Sequence, residues 1–324
     1  METMINLTEK INQYIDALDY NRDPQGLYAP VKYVLSMGGK RIRPVLMLMA
    51  ANMWKQDLDG LLPAAAGLEI YHNFTLLHDD LMDRAERRRG HLTVHRKWTS
   101  NAAILSGDAM MILAYRYFMQ TDAINLPGML DTFTNAALEV CEGQQFDIEF
   151  ETLDNVTEGQ YLNMIRLKTS VLLAAALKIG ALYAGASDED AKALYDFGLY
   201  TGLAFQLKDD YLDVYGNPET FGKNIGGDIL CNKKTWMLIK SLELADENQS
   251  LQLRGWLNRI DFLAEEKIAA VTEIYNEIGV GVLAEKKIEE FYRMGLNSLK
   301  RVTLPEEKKE ALKLFAEKLL NRIK

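Results

Sequence analysis

The sequence has 324 residues, 48% of them apolar and 26% charged, so it carries enough apolar chain to build a sizeable core. Its formal net charge of −9 lacks the surplus of Lys and Arg that a nucleic-acid surface needs, and any phosphate partner must be met locally. Cys141 and Cys231, the two cysteines, stand far apart and in no metal-ligand spacing, which suits a reducing compartment.

In chain order, the opening METMINLTEKINQYIDALDY is amphipathic and has no basic region followed by an apolar one, unlike a secretory leader. GGKRIRP then sets Lys40, Arg41 and Arg43 behind Gly38 and Gly39 at a loop running into a helix; its spacing is not that of a nucleotide P-loop. Period-3.6 patterns follow in AAAGLEIYHNFTLLHDDLMD, NAAILSGDAMMILAYRYFMQ, SVLLAAALKIGALYAG and FGLYTGLAFQLKDDYLD, several of them apolar nearly all round, as in helices buried by neighbours. Leu76, Leu77, Leu81 and Met82 read as core in the first of these. The breaks at DGLLP, RRRGHLTVHRKW, NLPG, YAGASDED and YGNPETFGKNIGGD are short connectors, and the long proline-free intervals leave room for long helices. At the far end Leu312, Phe315, Leu319 and Ile323 form the stripe of an amphipathic surface helix. No apolar run is long enough to span a membrane. The expectation is an all-α protein, a single helical bundle over residues 1–324, cytoplasmic and without stable membrane insertion.

One acidic pattern occurs twice. Asp79, Asp80 and Asp83 in HDDLMD have the spacing of Asp209, Asp210 and Asp213 in KDDYLD. At about 100° per residue the first and last aspartate of each triple lie one turn apart and within about 40° of each other. Carboxylates so placed among apolar residues repel unless a cation sits between them, and an all-oxygen donor set selects Mg²⁺ or Ca²⁺ over softer metals. His72, Leu76, Asp79 and Asp83 follow at steps of four, three and four, so an imidazole shares the stripe of the first triple. His78, His91 and His95 read as structural, since HLTVH lacks the glutamate of a zinc-protease helix.

Together these motifs resemble, in order, those of the trans-type isoprenyl diphosphate synthases, the family of farnesyl and geranylgeranyl diphosphate synthases. GGKRIRP resembles the family's first basic motif, HDDLMDRAERRRG its first aspartate-rich motif, EGQQFD its Gly-Gln-x-x-Asp segment and LKTS its Lys-Thr pair. FQLKDDYLD and FGKNIGGDILCNKKT resemble the second aspartate-rich motif and the lysines after it. The matches run from Gly38 to Thr235.

The resemblance implies an isoprenoid-synthase helical bundle with a central cavity, and a prenyltransferase that joins isopentenyl diphosphate head-to-tail to an allylic diphosphate. It implies that Asp79, Asp80, Asp83, Asp209, Asp210 and Asp213 bind the allylic diphosphate, mostly through three Mg²⁺. Arg88, Lys168, Lys223 and Lys233 would contact that diphosphate directly, with Gln144 and Asp147 completing the metal-side network. Lys40, Arg43, His72 and Arg89 would hold the diphosphate of isopentenyl diphosphate. Lys168, Thr169 and Gln206 would act nearest the reacting carbon. Arg87 stands where the family varies, and alignment on Gly90 favours Arg88 and Arg89. A homodimer is implied by the family alone.

Bulk just before the first triple closes the cavity floor in this family. Thr75 lies one turn below Asp79, Tyr71 and Leu68 on nearly the same side, and Phe74 flanks them. Phe74 and Tyr71 would stop a growing chain at C15 or C20. Three rivals compete with this reading: a class I terpene cyclase, a longer-chain polyprenyl synthase and a non-catalytic helical partner subunit. The intact second triple and the GGKRIRP loop favour a two-diphosphate enzyme.

Overall fold

Helices make up nearly all the regular structure of the computed structural model, which describes residues 3–217 and 225–320. In chain order come α1 (Met4–Asp16), α2 (Gln25–Ser36), α3 (Ile42–Ala51) and α4 (Leu62–Met82), then a short hairpin of β1 (Arg87–Arg88) and β2 (His91–Leu92). The chain continues through α5 (Val94–Lys97), α6 (Ser100–Phe118), α7 (Leu126–Thr152), α8 (Glu158–Ile165), a π-helical turn at Arg166–Ser170, α9 (Val171–Tyr183) and α10 (Asp188–Tyr215). After it stand α11 (Gly227–Leu230), α12 (Trp236–Leu244), α13 (Glu247–Asn258), α14 (Ala264–Ile278), α15 (Val280–Lys300) and α16 (Glu306–Leu320). The all-α expectation holds, with the hairpin as the one sheet among the described residues.

The chain divides into two compact units, each discontinuous in sequence. One comprises Met1–Phe133, Ala176–Lys192 and Leu304–Ala311; the other comprises Thr134–Ala175, Ala193–Thr303 and Leu312–Lys324.

In the first unit α4 packs most extensively against α6, and also against α3 and α1. Pro63 sits in the first turn of α4, where its missing N–H costs nothing, and Thr99 caps α6 by accepting from the Ala102 N–H. Helix α4 is buried nearly all round, from Leu62 through Leu77, as its continuous apolar sequence predicts. Phe118 and Phe133 stack at 4.3 Å, and Tyr71 meets Phe133 edge-on at 5.2 Å. Each such buried ring stabilises the fold by roughly 1.5–3 kcal/mol.

The second unit has its own core, in which Tyr161, Trp236, Leu253, Val271 and Tyr275 meet Ala284 and Ile288 of α15. Capping boxes at Thr157/Gln160 and Asp246/Gln249 start α8 and α13, and Gly279, at φ 79°, ends α14 in the left-handed turn that favours glycine. Helix α16 buries the expected stripe of Leu312, Phe315 and Leu319; Ile323 lies outside the described residues. Among the leucines and methionine taken for core near the first triple, Leu77 is buried but Met82, at the last position of α4, is 47% exposed.

Candidate active site

The first triple closes α4. Asp79 and Asp80 lie in its last turn and Asp83 is its C-cap, so three carboxylates gather where a helix already presents the negative end of its dipole. Only positive charge relieves such an arrangement, and part of it comes from Arg88. Its Nε donates to both carboxylate oxygens of Asp80 at 2.8 Å, and its Nη2 reaches Asp79 Oδ2 at 3.4 Å. Asp80 is buried and Asp79 only partly so. Burial raises the Asp80 carboxyl above its ordinary value, and the Arg88 contact opposes that rise.

Arg88 is delivered by the hairpin. Arg87 pairs with Leu92 and Arg88 with His91, leaving Arg89-Gly90 as a two-residue turn with φ of 52° and 79°. Positive φ at both positions is the type I′ geometry that matches strand twist, and it explains why a glycine ends the arginine run. Thr93 Oγ1 donates to Ala85 O at 2.7 Å at the base of the hairpin, and Tyr33 Oη donates to Leu92 O at 2.9 Å from α2. Alternate positions of the hairpin thus send Arg88 to the triple and turn Arg89 elsewhere.

Arg89 meets the GGKRIRP loop. Its Nη1 donates to the carbonyl of Gly38, and a Cβ at Gly39 would lie 2.9 Å from its guanidinium. Gly39 has φ 143°, so both the backbone conformation and the space require glycine. Lys40 is exposed on this loop, while Arg43 Nη1 contacts His72 Nε2 at 2.9 Å and its Nε is buried without a hydrogen-bond partner. Burial lowers the His72 pKa well below its ordinary value, and the charges of Arg43, Arg89, Arg88 and Arg41 push the same way, so the ring is neutral and accepts from Arg43. Burial also pulls Arg43 down to about 10, still a cation at neutral pH. Such a concentration of positive charge, with a donor left over, suits a phosphate anion.

Of the residues expected to close a cavity floor, Tyr71 and Phe74 are buried with ring centroids 5.4 Å apart, and Phe74 meets His78 edge-on at 4.8 Å. Thr75 turns its Oγ1 to the carbonyl of His72 at 2.8 Å, and Leu68 is fully buried. His78 is structural, as expected: its Nε2 meets the Ile104 carbonyl at 3.2 Å, and a Cβ at Gly107 would collide with it.

The second triple lies within the last turns of α10. Asp210 is buried; the Tyr161 hydroxyl donates to its Oδ2 and Gln206 Nε2 donates to its Oδ1 at 3.2 Å. Burial first, then the charge of Asp228, pushes Asp210 up to about 7. Thr169 Oγ1 in turn donates to Gln206 Oε1 at 3.3 Å, so Thr169, Gln206, Asp210 and Tyr161 form one polar chain. Asp213 holds the turn that follows: its Oδ2 accepts the Asp228 N–H at 2.9 Å and its carbonyl accepts the Gly226 N–H.

Lys168 and Thr169 occupy the π-helical turn between α8 and α9, a local widening common at functional sites. Lys168 Nζ bonds Asp147 Oδ2 at 2.6 Å, bringing together two residues expected on the allylic side. Gly143 makes this approach feasible, since a Cβ there would lie 2.3 Å from the Lys168 backbone nitrogen. Gln144 beside it is partly buried, Lys233 is exposed on the loop after α11, and Lys223 lies outside the described residues.

Sequence reasoning missed Tyr161, for which no local signal exists, and the pairing of Arg41 with Glu69. The packing role of Gly143, within EGQQFD, likewise has no signature in the sequence. Among the described residues, no three carboxylate, imidazole or thiol side chains close into a metal cage by themselves. The donor chemistry nevertheless fits Mg²⁺, which takes one or two carboxylates and leaves positions for water and substrate phosphate.

A model of the polyprenyl synthetase family matches residues 24–278. The geranylgeranyl diphosphate synthase of Methanosarcina mazei is 42% identical over 240 residues, covering 74% of each chain. The short chain isoprenyl diphosphate synthase of Methanothermobacter thermautotrophicus is 36% identical over 300 residues, 92% of this chain and 91% of that one. A crystal structure of a geranylgeranyl pyrophosphate synthase, 42% identical, superposes with a TM-score of 0.94 and covers 100% of both chains. Sequence motifs, helical architecture and these likenesses converge on one assignment: the chain belongs to the polyprenyl synthetase family and is a short-chain trans-prenyltransferase.

Proposed function

We propose that the protein condenses isopentenyl diphosphate with an allylic diphosphate, releasing an all-trans product of C15 or C20. The 42% identical geranylgeranyl diphosphate synthases support C20. The observation that carries the reading is the repeated triple, whose middle carboxylate is buried and held in both copies while its neighbours are less buried. The six aspartates would serve as the metal set for about three Mg²⁺. Bound Mg²⁺ offsets the charge that develops on the departing diphosphate.

Arg88, Lys168 and Lys233 add donors to that diphosphate, with Lys223 in the same role and Gln144 and Asp147 orienting its surroundings. The allylic carbon–oxygen bond then breaks without a protein nucleophile. Lys40, Arg43, His72 and Arg89 hold isopentenyl diphosphate so that its double bond attacks the allylic carbon, and a proton passes to the released diphosphate. Thr169 and Gln206 turn oxygen dipoles toward the positive charge, while apolar walls keep out the water that would quench it. That one family model matches residues 24–278 supports reading 1–324 as one catalytic domain. No helix among the described residues is long and apolar enough to cross a membrane. A cytoplasmic homodimer is part of the same reading; the exposed Leu105, Ile112 and Met119 of α6 and its C-cap are apolar surface that a second copy would cover.

The test is incubation with Mg²⁺, isopentenyl diphosphate and each allylic diphosphate from C5 to C20, followed by chain-length analysis, with and without EDTA. A C15 or C20 prenyl diphosphate that disappears with chelation and returns with Mg²⁺ is expected. Cyclised hydrocarbons, a long polyprenyl chain or no product would each overturn the proposal.

A further inference from the structure

Arg41 is one of the most polar side chains in the molecule and one of the least accessible. Its guanidinium and the Glu69 carboxylate are 3% and 2% exposed, and they meet at 2.8 Å through Nη1 and Oε1. Each of the three guanidinium nitrogens donates a hydrogen bond. Nη2 donates to the Leu35 carbonyl at the end of α2 at 3.0 Å, and Nε donates to Asn12 Oδ1 of α1 at 3.0 Å. Glu69 is likewise engaged, since Asn73 Nδ2 donates to its Oε1 at 3.0 Å. One arginine thus ties α1, α2 and α4 together, and all three of its nitrogens are committed within a side chain only 3% exposed.

Its backbone matters equally. Arg41 has φ 47°, a left-handed conformation that an arginine adopts only when its surroundings enforce it, and it is the N-cap of α3. Lys40 precedes this strained residue and Arg43 follows two positions later, so the anchoring of Arg41 sets where both cations point. Glu69 also acts by charge: against the burial that disfavours them, it favours the cationic form of Arg43 and, with Asp80, that of Arg89.

We infer that the buried Arg41–Glu69 pair is a positioning device for the homoallylic diphosphate, fixing the loop that carries Lys40 and Arg43 and supplying the counter-charge that lets Arg43 and Arg89 gather about His72. The inference rests on the proposed role of those four residues in holding isopentenyl diphosphate. Arg41 sits in the same basic motif as Lys40 and Arg43 but is a strut, not a ligand.

Steady-state kinetics with each substrate varied in turn distinguishes the possibilities. Glu69→Gln leaves Arg41 a buried charge without its counter-ion and is expected to raise KM for isopentenyl diphosphate about tenfold, with KM for the allylic diphosphate within about twofold. Because that variant risks unfolding, Arg41→Lys and the apolar pair Arg41→Met with Glu69→Leu accompany it; buried pairs replaced by apolar residues usually keep the fold. Both folded variants are expected to show the same selective rise in KM. An unchanged KM for isopentenyl diphosphate in a folded variant, equal effects on the two substrates, or unfolding of all three would overturn the positioning role. Arg43→Ala and Arg89→Ala run alongside: if these leave that KM unchanged, it is the assignment of the diphosphate site that fails, not the strut.

Discussion

In the first triple the middle carboxylate, Asp80, is held by a cation, Arg88, that arrives on a hairpin; in the second, Asp210 is held by two neutral donors, Tyr161 and Gln206. Both aspartates are 5% exposed. A cation compensates a buried carboxylate by charge, whereas hydroxyl and amide dipoles compensate it only in part. Burial and then the charge of Asp228 push Asp210 up to about 7; burial also raises Asp80, and Arg88 opposes that rise by charge as well as by its hydrogen bonds. One sequence spacing therefore yields two carboxylates in different electrostatic surroundings, and it is the partners, not the motif, that set the difference.

The strongest challenge to treating the triples as equivalents is to remove the first aspartate of each. Asp79→Ala and Asp209→Ala are each expected to cut turnover on the order of 10³-fold, the scale of losing a group that stabilises developing charge. Near-ultraviolet circular dichroism should remain native. Near-native turnover in either variant would take its triple out of the metal set.

Stability separates the two kinds of partner. Arg88→Met strands a buried carboxylate and should cost about 2–3 kcal/mol, whereas Tyr161→Phe removes one neutral donor and should cost about 1 kcal/mol. Urea unfolding in EDTA at neutral pH, with unchanged m values, measures both. The reverse order would show that the tyrosine, not the arginine, is the stronger compensation.

A smaller effect follows from protons. Asp210 sits above its ordinary value of 3.8, so between that pH and about 7 the folded chain keeps a proton that the unfolded chain has released. The stability this contributes is complete below pH 3.8 and is lost as pH rises through about 7. Metal-free protein should therefore lose stability across that window, and Asp210→Asn should remove that part of the slope. An identical pH profile in Asp210→Asn would place the titration elsewhere.

How far the sequence could be read follows from the same contrast. The triples, the basic loop, Gly90 and the helix faces were legible because each is a local pattern of period, spacing or turn chemistry. The partner of Asp80 lies only eight residues away, yet it reaches Asp80 only because the hairpin register sends Arg88, and not Arg87 or Arg89, toward the triple. Tyr161 is 49 residues from Asp210, in a segment whose capping box marks a helix start but no site. Arg41 was legible as a basic residue but not as a buried one, because its fate is set by Glu69 on another helix. The π-helical turn at Lys168 packs its backbone against Gly143, a contact that no helical periodicity encodes.

The smallest expected effect on turnover distinguishes the triples by what surrounds them. Beside the first lies an aromatic group, with Tyr71 between Phe74 and Phe133 at 5.4 and 5.2 Å. The second is joined instead to the polar chain through Gln206 and Thr169. If the hydrocarbon grows toward the aromatic side, Phe74→Ala with Tyr71→Ala opens space without touching a carboxylate. Turnover should fall by less than about tenfold, the Mg²⁺ requirement should be unchanged, and the product should lengthen by at least one five-carbon unit. Loss of two core rings costs stability, each on the order of 3 kcal/mol or more, so the single variants Phe74→Leu and Tyr71→Leu, which retain most of the packing, belong in the same assay. An unchanged C15 or C20 product in folded variants of both residues would reduce the aromatics to core and return the question of chain length to other walls of the cavity.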